Sequence, residues 1–139
     1  MGLVAGVAAA DDLGKLRERL AREADPAKRA KITVKIGEGL LKQIAQNYKA
    51  EAYSDGDQLL GDYLQAVRAA QEGLLHSGRD ARRSPGGFKH LEIHLRESRR
   101  KLEDIARRLP YANRTPVDQA VTEVETLRRQ LLAALMKEK

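Results

Sequence analysis

Apolar residues recur every three or four positions along most of this chain, which is the spacing that places side chains on one face of an α-helix. No stretch alternates between apolar and polar residues for long enough to predict a strand. The pattern therefore predicts an all-α protein. The strongest series predicts one buried face, and its positions are Ala27, Ala30, Val34, Gly37, Leu41, Ile44 and Tyr48.

Turn and capping residues divide the pattern into separate helices. Asp25 is the expected N-cap of the second helix, because a proline follows it and suits the first helical turn. Ser54 with Asp57 predicts a capping box for the third helix, and Thr115 is the expected N-cap of the fifth. The glycines and the proline within residues 76–87 predict the longest break. The five predicted helices are residues 12–24, 26–52, 55–75, 87–109 and 115–136.

The chain contains an internal repeat, because residues 26–75 match residues 87–136 at a constant shift of 61 positions without a gap. Gly37 corresponds to Ser98, and a small residue at the same place in both repeats predicts that two long helices approach closely there. A repeated helical hairpin defines the structural unit. We therefore predict a single domain over residues 11–139. Its fold would be an antiparallel four-helix bundle of two pseudo-symmetric hairpins, with a short N-terminal helix on one outer face.

Composition narrows the possible functions. Aromatic residues make up 4% of the chain and tryptophan is absent, which argues against an aromatic ligand pocket or a base-stacking platform. Cysteine is absent as well, so disulfides and thiolate sites are excluded. The sequence has no glycine-rich phosphate loop and no Gly-x-Ser-x-Gly elbow, and we interpret Asp57 and Asp118 as helix caps. We expect a non-enzymatic interaction or structural protein with no catalytic residues and no cofactor.

Positive charge is concentrated in one region. The net charge is +6, and residues 79–108 contain ten Lys and Arg against five Asp and Glu. Such a region favours an acidic protein or surface as partner. A second interpretation is a solvated helix face whose charges are partly neutralised by pairs such as Glu92 with Arg96. The candidate binding residues are Arg79, Arg82, Arg83, Lys89, Arg96, Arg99, Arg100 and Arg107.

Nucleic acid is the alternative partner for the same basic residues, since arginine and lysine contact phosphates. No helix-turn-helix, zinc-finger or basic-zipper pattern accompanies the cluster, so such binding would be independent of base sequence. This alternative corresponds to a cytoplasmic basic bundle that binds nucleic acid or an acidic protein non-specifically.

A metal site is a further alternative. His90 and His94 are four residues apart, which places both side chains on one helix face, and Glu97 follows three residues later on that face. A site needs a third ligand besides the two histidines, and the candidates are Glu97 and His76 of the linker. The competing interpretation is that both histidines are partly exposed residues at the edge of the core.

The N-terminus suggests export. Residues 3–10 are small and apolar, and Ala8-x-Ala10 followed by an acidic residue is similar to the end of a secretory signal peptide. We interpret residues 1–10 as a leader remnant or a disordered extension. The apolar run is too short to span a bilayer, and no other segment reaches transmembrane length.

Two stretches, residues 31–36 and residues 87–105, resemble uncharacterised bacterial exported helical-bundle proteins. The resemblance implies an extracytoplasmic helical bundle and assigns no catalytic or binding residue. The favoured location is therefore the periplasm or the exterior, with the cytoplasm as the alternative.

The sequence is also compatible with a homodimer. The second helix has the additional apolar residues Ile32, Ile36 and Leu40, which a second copy of the chain would cover if the first helix does not dock on them.

Overall fold

Five α-helices and one short 3-10 turn form the regular secondary structure of the part of the chain that the structure describes. The structure is a computed structural model that describes the backbone of residues 2–137 and the side chains of residues 12–137. The all-α prediction is confirmed. The elements are α1 Gly2–Arg22, α2 Pro26–Lys49, α3 Tyr53–Leu75, α4 Gly86–Arg108, the 3-10 turn Tyr111–Asn113 and α5 Thr115–Leu135.

The four long helices pair as two hairpins, α2 with α3 and α4 with α5, and the hairpins pack together as a bundle. The predicted bundle of two hairpins is therefore confirmed, whereas its pseudo-symmetry stays a prediction. Helices are antiparallel within each hairpin, but α2 lies beside α4 and α3 beside α5 in the same direction. For example, Arg68 of α3 pairs with Glu123, and one turn later Gln71 donates a hydrogen bond to the carbonyl of Leu127.

The first helix covers the outer face of α2, as predicted. Leu13 is buried, and a Cβ atom placed on Gly39 would lie 3.1 Å from its Cδ2 atom. Ile32, Ile36 and Leu40 are buried as well. The condition under which the sequence left a dimer open, an undocked first helix, is thus not met.

The first helix spans Gly2–Arg22 rather than the predicted residues 12–24, because the small apolar residues before Asp11 continue the helix. The interpretation of residues 1–10 as a leader remnant stays a prediction.

The α2 helix begins where the sequence predicts, but it ends earlier than predicted. The Asp25 carboxylate accepts a hydrogen bond from the backbone N–H of Lys28 at 2.9 Å. The α2 helix ends at Lys49 rather than at residue 52, because Glu51 adopts a left-handed conformation with φ of 63°. Its N–H and that of Ala52 bond back to carbonyls of the last helical turn, which is a Schellman motif.

Both predicted side-chain caps in the later helices are wrong. The third helix begins at Tyr53, directly after the turn, so Ser54 already lies inside the helix and makes no capping hydrogen bond. The fifth helix is preceded by a 3-10 turn and by Arg114 in helical conformation, so Thr115 lies inside the helix as well. The backbone reaches helical geometry before these residues, which removes their capping role.

The predicted apolar stripes form the core. On α2 every stripe residue after Ala27 is buried. The shift of 61 positions predicts a corresponding stripe on α4, which is buried except for the half-buried Ile105. A Cβ atom on Gly37 would lie 2.9 Å from the His94 ring and 3.0 Å from the Tyr63 ring, so two side chains of neighbouring helices fill the space beside Gly37. The predicted close approach of the two long helices at this position stays a prediction. In the described part of the chain, no helix combines the length and the apolar character that crossing a bilayer requires.

Candidate interaction surface

The eight predicted basic residues do not form one continuous cationic stripe. Arg79 pairs with Asp25 across the start of α2, and Arg83 lies 4.0 Å from Asp80. Arg82 donates a hydrogen bond of 3.0 Å to the carbonyl oxygen of Lys137. The three arginines of the linker between α3 and α4 therefore surround the end of the bundle where α3 and α5 finish.

On α4, two of the predicted residues belong to an ionic network at the boundary with α5. Glu92 is only 5% exposed and accepts hydrogen bonds from Arg96 at 2.6 and 3.2 Å and from Arg128 at 3.4 Å. Glu125 accepts two hydrogen bonds of 2.9 Å from Arg128, and Arg99 lies 3.4 Å from its carboxylate. We call these five residues, together with Arg129, the ionic network.

The two carboxylates of the ionic network are stabilised by its four arginines. The hydrogen bonds from Arg128, and secondarily from Arg129, lower the pKa of Glu125 to about 2. Glu92 likewise raises the pKa of Arg96 by hydrogen bonding. These guanidinium groups are therefore already occupied by carboxylates of the same chain.

The remaining predicted cations are distributed along α4. Arg107 pairs with Asp104 one turn earlier on the helix. Lys89 and Arg100 are exposed and form no ion pair with the residues that the structure describes. Among the predicted cations, Arg82 of the linker and Lys89 and Arg100 of α4 thus have no carboxylate partner in the part of the chain that the structure describes, and at the linker end of the molecule the unpaired cation lies beside a cleft.

A cleft of about 380 Å³ lies at that end, and we call it the linker-end cleft. Leu75, Ala81, Phe88 and Ala134 provide its apolar lining, and Arg79, Arg82, Lys137 and Asp80 its charged lining. Leu75 is 40% exposed, and Met136, adjacent to Lys137 in the chain, is 75% exposed. Exposed apolar residues beside unbalanced positive charge are a feature of protein-binding surfaces. The sequence pattern did not identify Leu75 or Met136 as part of a surface.

The predicted metal residues are not brought together. His90 and Glu97 are exposed, whereas His94 is 5% exposed, with its Nε2 atom 2.9 Å from the hydroxyl of Tyr63. Among residues 12–137, no group of three or more His, Cys, Asp or Glu side chains is placed to hold a metal ion. The expectation that both histidines are partly exposed is correct for His90 and wrong for His94.

His94 instead belongs to a buried polar cluster with Tyr63 and Ser98. The Tyr63 hydroxyl lies 2.7 Å from Ser98 Oγ and 2.9 Å from His94 Nε2, so two hydrogen bonds join the three side chains. Burial lowers the pKa of His94 to about 4, and burial raises the pKa of Tyr63. None of the three side chains is open to a substrate, which makes the cluster an element of packing.

The sequence contained one signal of this cluster. Gly37 and Ser98 were recognised as small residues at equivalent positions, but Tyr63 corresponds to Val124 in the repeat, so the repeat gave no indication of a polar partner. Gly37 is small because the rings of Tyr63 and His94 occupy the space beside it. Asp57, interpreted as a cap, similarly accepts a hydrogen bond of 2.6 Å from the Tyr48 hydroxyl.

Comparison with known proteins adds no further assignment. No protein-family model, no curated protein and no solved structure matches this chain. The candidate site therefore depends on the geometry and chemistry of the chain itself.

Proposed function

We propose that this protein is a non-enzymatic, extracytoplasmic interaction module whose linker-end cleft binds an acidic, partly apolar segment of a partner protein. The observation that carries this proposal is the coincidence of cations with exposed apolar side chains at one end of the bundle. Carboxylates of the partner would pair with Arg82 and Lys137. Its apolar side chains would cover Leu75 and Met136, giving the apolar centre and polar rim typical of protein interfaces.

The pairing of the other arginines supports a protein partner over nucleic acid. Of the eight predicted cations, five already face a carboxylate of the chain, and phosphates would have to replace those partners. A phosphate-binding surface depends on cations that are free to neutralise several phosphates together. An acidic segment that also contains apolar residues would match both components of the linker-end cleft.

The proposed location is supported by the Ala8-x-Ala10 pattern at the N-terminus. Intact mass spectrometry of the protein from fractionated source cells would test it. A mature chain that begins near Asp11 in an extracytoplasmic fraction is expected. A cytoplasmic chain that retains Gly2 would contradict the location without affecting the proposed binding site.

The binding proposal is tested with a dye-labelled amphipathic peptide of leucine and glutamate, titrated with the full chain and followed by fluorescence anisotropy. Arg82→Glu removes a cation of the cleft and Leu75→Glu changes its apolar part. Each is expected to weaken binding about tenfold, since a charged hydrogen bond or a buried apolar contact contributes on the order of 1.5 kcal/mol. Arg100→Glu is the matched control, because it makes the same charge change on exposed α4 surface outside the cleft.

A DNA duplex titrated in parallel distinguishes the alternative. Tighter binding to the duplex than to the peptide, weakened equally by Arg82→Glu and Arg100→Glu, would overturn the proposal in favour of non-specific nucleic-acid binding. Peptide binding that is unaffected by Arg82→Glu and Leu75→Glu would remove the linker-end cleft as the site.

A further inference from the structure

A second, larger groove lies at the opposite end of the bundle, where α2 and α4 finish and α3 begins. Its volume is about 470 Å³, within the range of small-molecule sites. We call it the tyrosine groove. Its apolar lining comes from Ala45, Tyr48, Tyr53, Ile105, Leu109 and Pro110.

The lining of the tyrosine groove is fixed by packing. The rings of Tyr48 and Tyr53 lie with centroids 6.5 Å apart. Tyr48 is buried and is held by its hydrogen bond to Asp57, and the ring fits because Gly56 has no side chain: a Cβ atom there would lie 2.7 Å from it. The floor of the groove is therefore preformed, whereas Ala45 on its wall is exposed.

The charged groups around the groove favour an anion. Lys49 and Arg108 line it, are exposed, and form no ion pair with the residues that the structure describes. Of the two acidic lining residues, Asp104 is already paired with Arg107, which leaves Glu51 as the opposing charge. Two unpaired cations beside an apolar floor match a molecule with one anionic group and an apolar body.

We propose that the tyrosine groove is a binding site for a small organic carboxylate with an aliphatic or aromatic body. The apolar body would lie against Tyr48, Tyr53 and Leu109. The carboxylate would face Lys49 and Arg108. This site is separate from the linker-end cleft, so it does not depend on the function proposed above.

The test uses the full chain and 8-anilinonaphthalene-1-sulfonate, an aromatic anion whose fluorescence rises in apolar surroundings. One saturable site is expected, from which octanoate displaces the probe and octanol, its uncharged counterpart, displaces it far less well. Displacement by octanol at the same concentration as octanoate would overturn the assignment of a carboxylate ligand.

Three variants locate the site. Lys49→Gln is expected to weaken octanoate binding about tenfold through loss of a charged hydrogen bond. Ala45→Glu places a carboxylate on the exposed wall and is expected to abolish probe binding. Lys42→Gln, an exposed lysine of α2 outside the groove, is the matched control and should bind as the unmodified chain does. Unchanged binding by both Lys49→Gln and Ala45→Glu would overturn the proposed location.

Discussion

The two sides of α4 are packed by different chemistry. Towards α2 and α3, His94 and Ser98 form a neutral hydrogen-bond chain with Tyr63 in surroundings that exclude water. Towards α5, Glu92 belongs to the ionic network, whose arginines reach the surface. The stability of the buried polar cluster of Tyr63, His94 and Ser98, which we call the neutral cluster, depends on fit and protonation, while that of the partly exposed ionic network depends on salt. One helix therefore joins the bundle through two contacts that respond to different conditions.

The largest expected effect is a loss of folding stability at acid pH, and it is caused by His94 of the neutral cluster. Burial holds the pKa of folded His94 at about 4, below the ordinary value of 6.5, so the unfolded chain binds a proton more readily. The contribution of neutral His94 to the free energy of unfolding is fully present above pH 6.5. It decreases as the pH falls from 6.5 towards 4, by about 3 kcal/mol in total. The Glu125 contribution is lost only lower, as the pH falls from 4.5 through about 2.

Urea unfolding between pH 7 and pH 5, followed by circular dichroism, checks this expectation. The free energy of unfolding should fall in the unmodified chain and stay nearly constant in His94→Gln, whose amide cannot titrate. His90→Gln is the matched control, since His90 is exposed on the same helix and contributes less than burial does to the lowered pKa of His94, so most of the decline should remain. An equal decline in His94→Gln would show that the neutral cluster does not cause the acid sensitivity.

A smaller effect is expected where the neutral cluster is tightest. Gly37→Ala would place Cβ 2.9 Å from His94 Nε2 and 3.0 Å from a ring carbon of Tyr63, and both rings are held by hydrogen bonds. Overpacking of this kind costs about 2–3 kcal/mol, of which helix propensity recovers about 1, leaving a net loss of about 1–2 kcal/mol.

Gly61→Ala is the matched control for that substitution. Gly61 lies in a helix with no atom within 4 Å of the added Cβ, so the same change should stabilise the chain by up to about 1 kcal/mol. Thermal unfolding of both variants measures the difference. Stabilisation by Gly37→Ala similar to that of Gly61→Ala would mean that the two rings can move apart without cost.

The sequence predicted the apolar half of these contacts better than the polar half. The stripes on α2 and α4 and the small residue at position 37 were identified, because helical periodicity specifies which residues face inward. The sequence did not predict the burial of His94. This burial depends on Tyr63, a residue of another helix that the repeat does not duplicate. The caps at Ser54 and Thr115 were wrong because the preceding backbone was already helical or turned, which local sequence does not specify.

For the candidate surface too, the sequence predicted contacts within one helix but not contacts between helices. The sequence indicated the concentration of basic residues correctly, and it anticipated the pairing of Arg96 with Glu92 from their spacing on one helix. It could not show that Glu125 of α5 lies against Arg99, since that contact joins two helices. Pairing between helices therefore decided which part of the basic region remains available.

The smallest expected effect concerns the ionic network and separates it from the neutral cluster by salt. Glu92→Gln keeps the shape of a side chain that is 5% exposed but removes the charge that faces Arg96 and Arg128. A loss of about 1 kcal/mol is expected at low ionic strength, since the arginine partners are partly solvated. In about 1 M salt the loss should shrink, whereas that of Gly37→Ala should not. Glu97→Gln, the same change at an exposed position of α4, should have no measurable effect. A loss from Glu92→Gln that is equal at low and high salt would mean that both sides of α4 are held by packing, and the contrast between them would disappear.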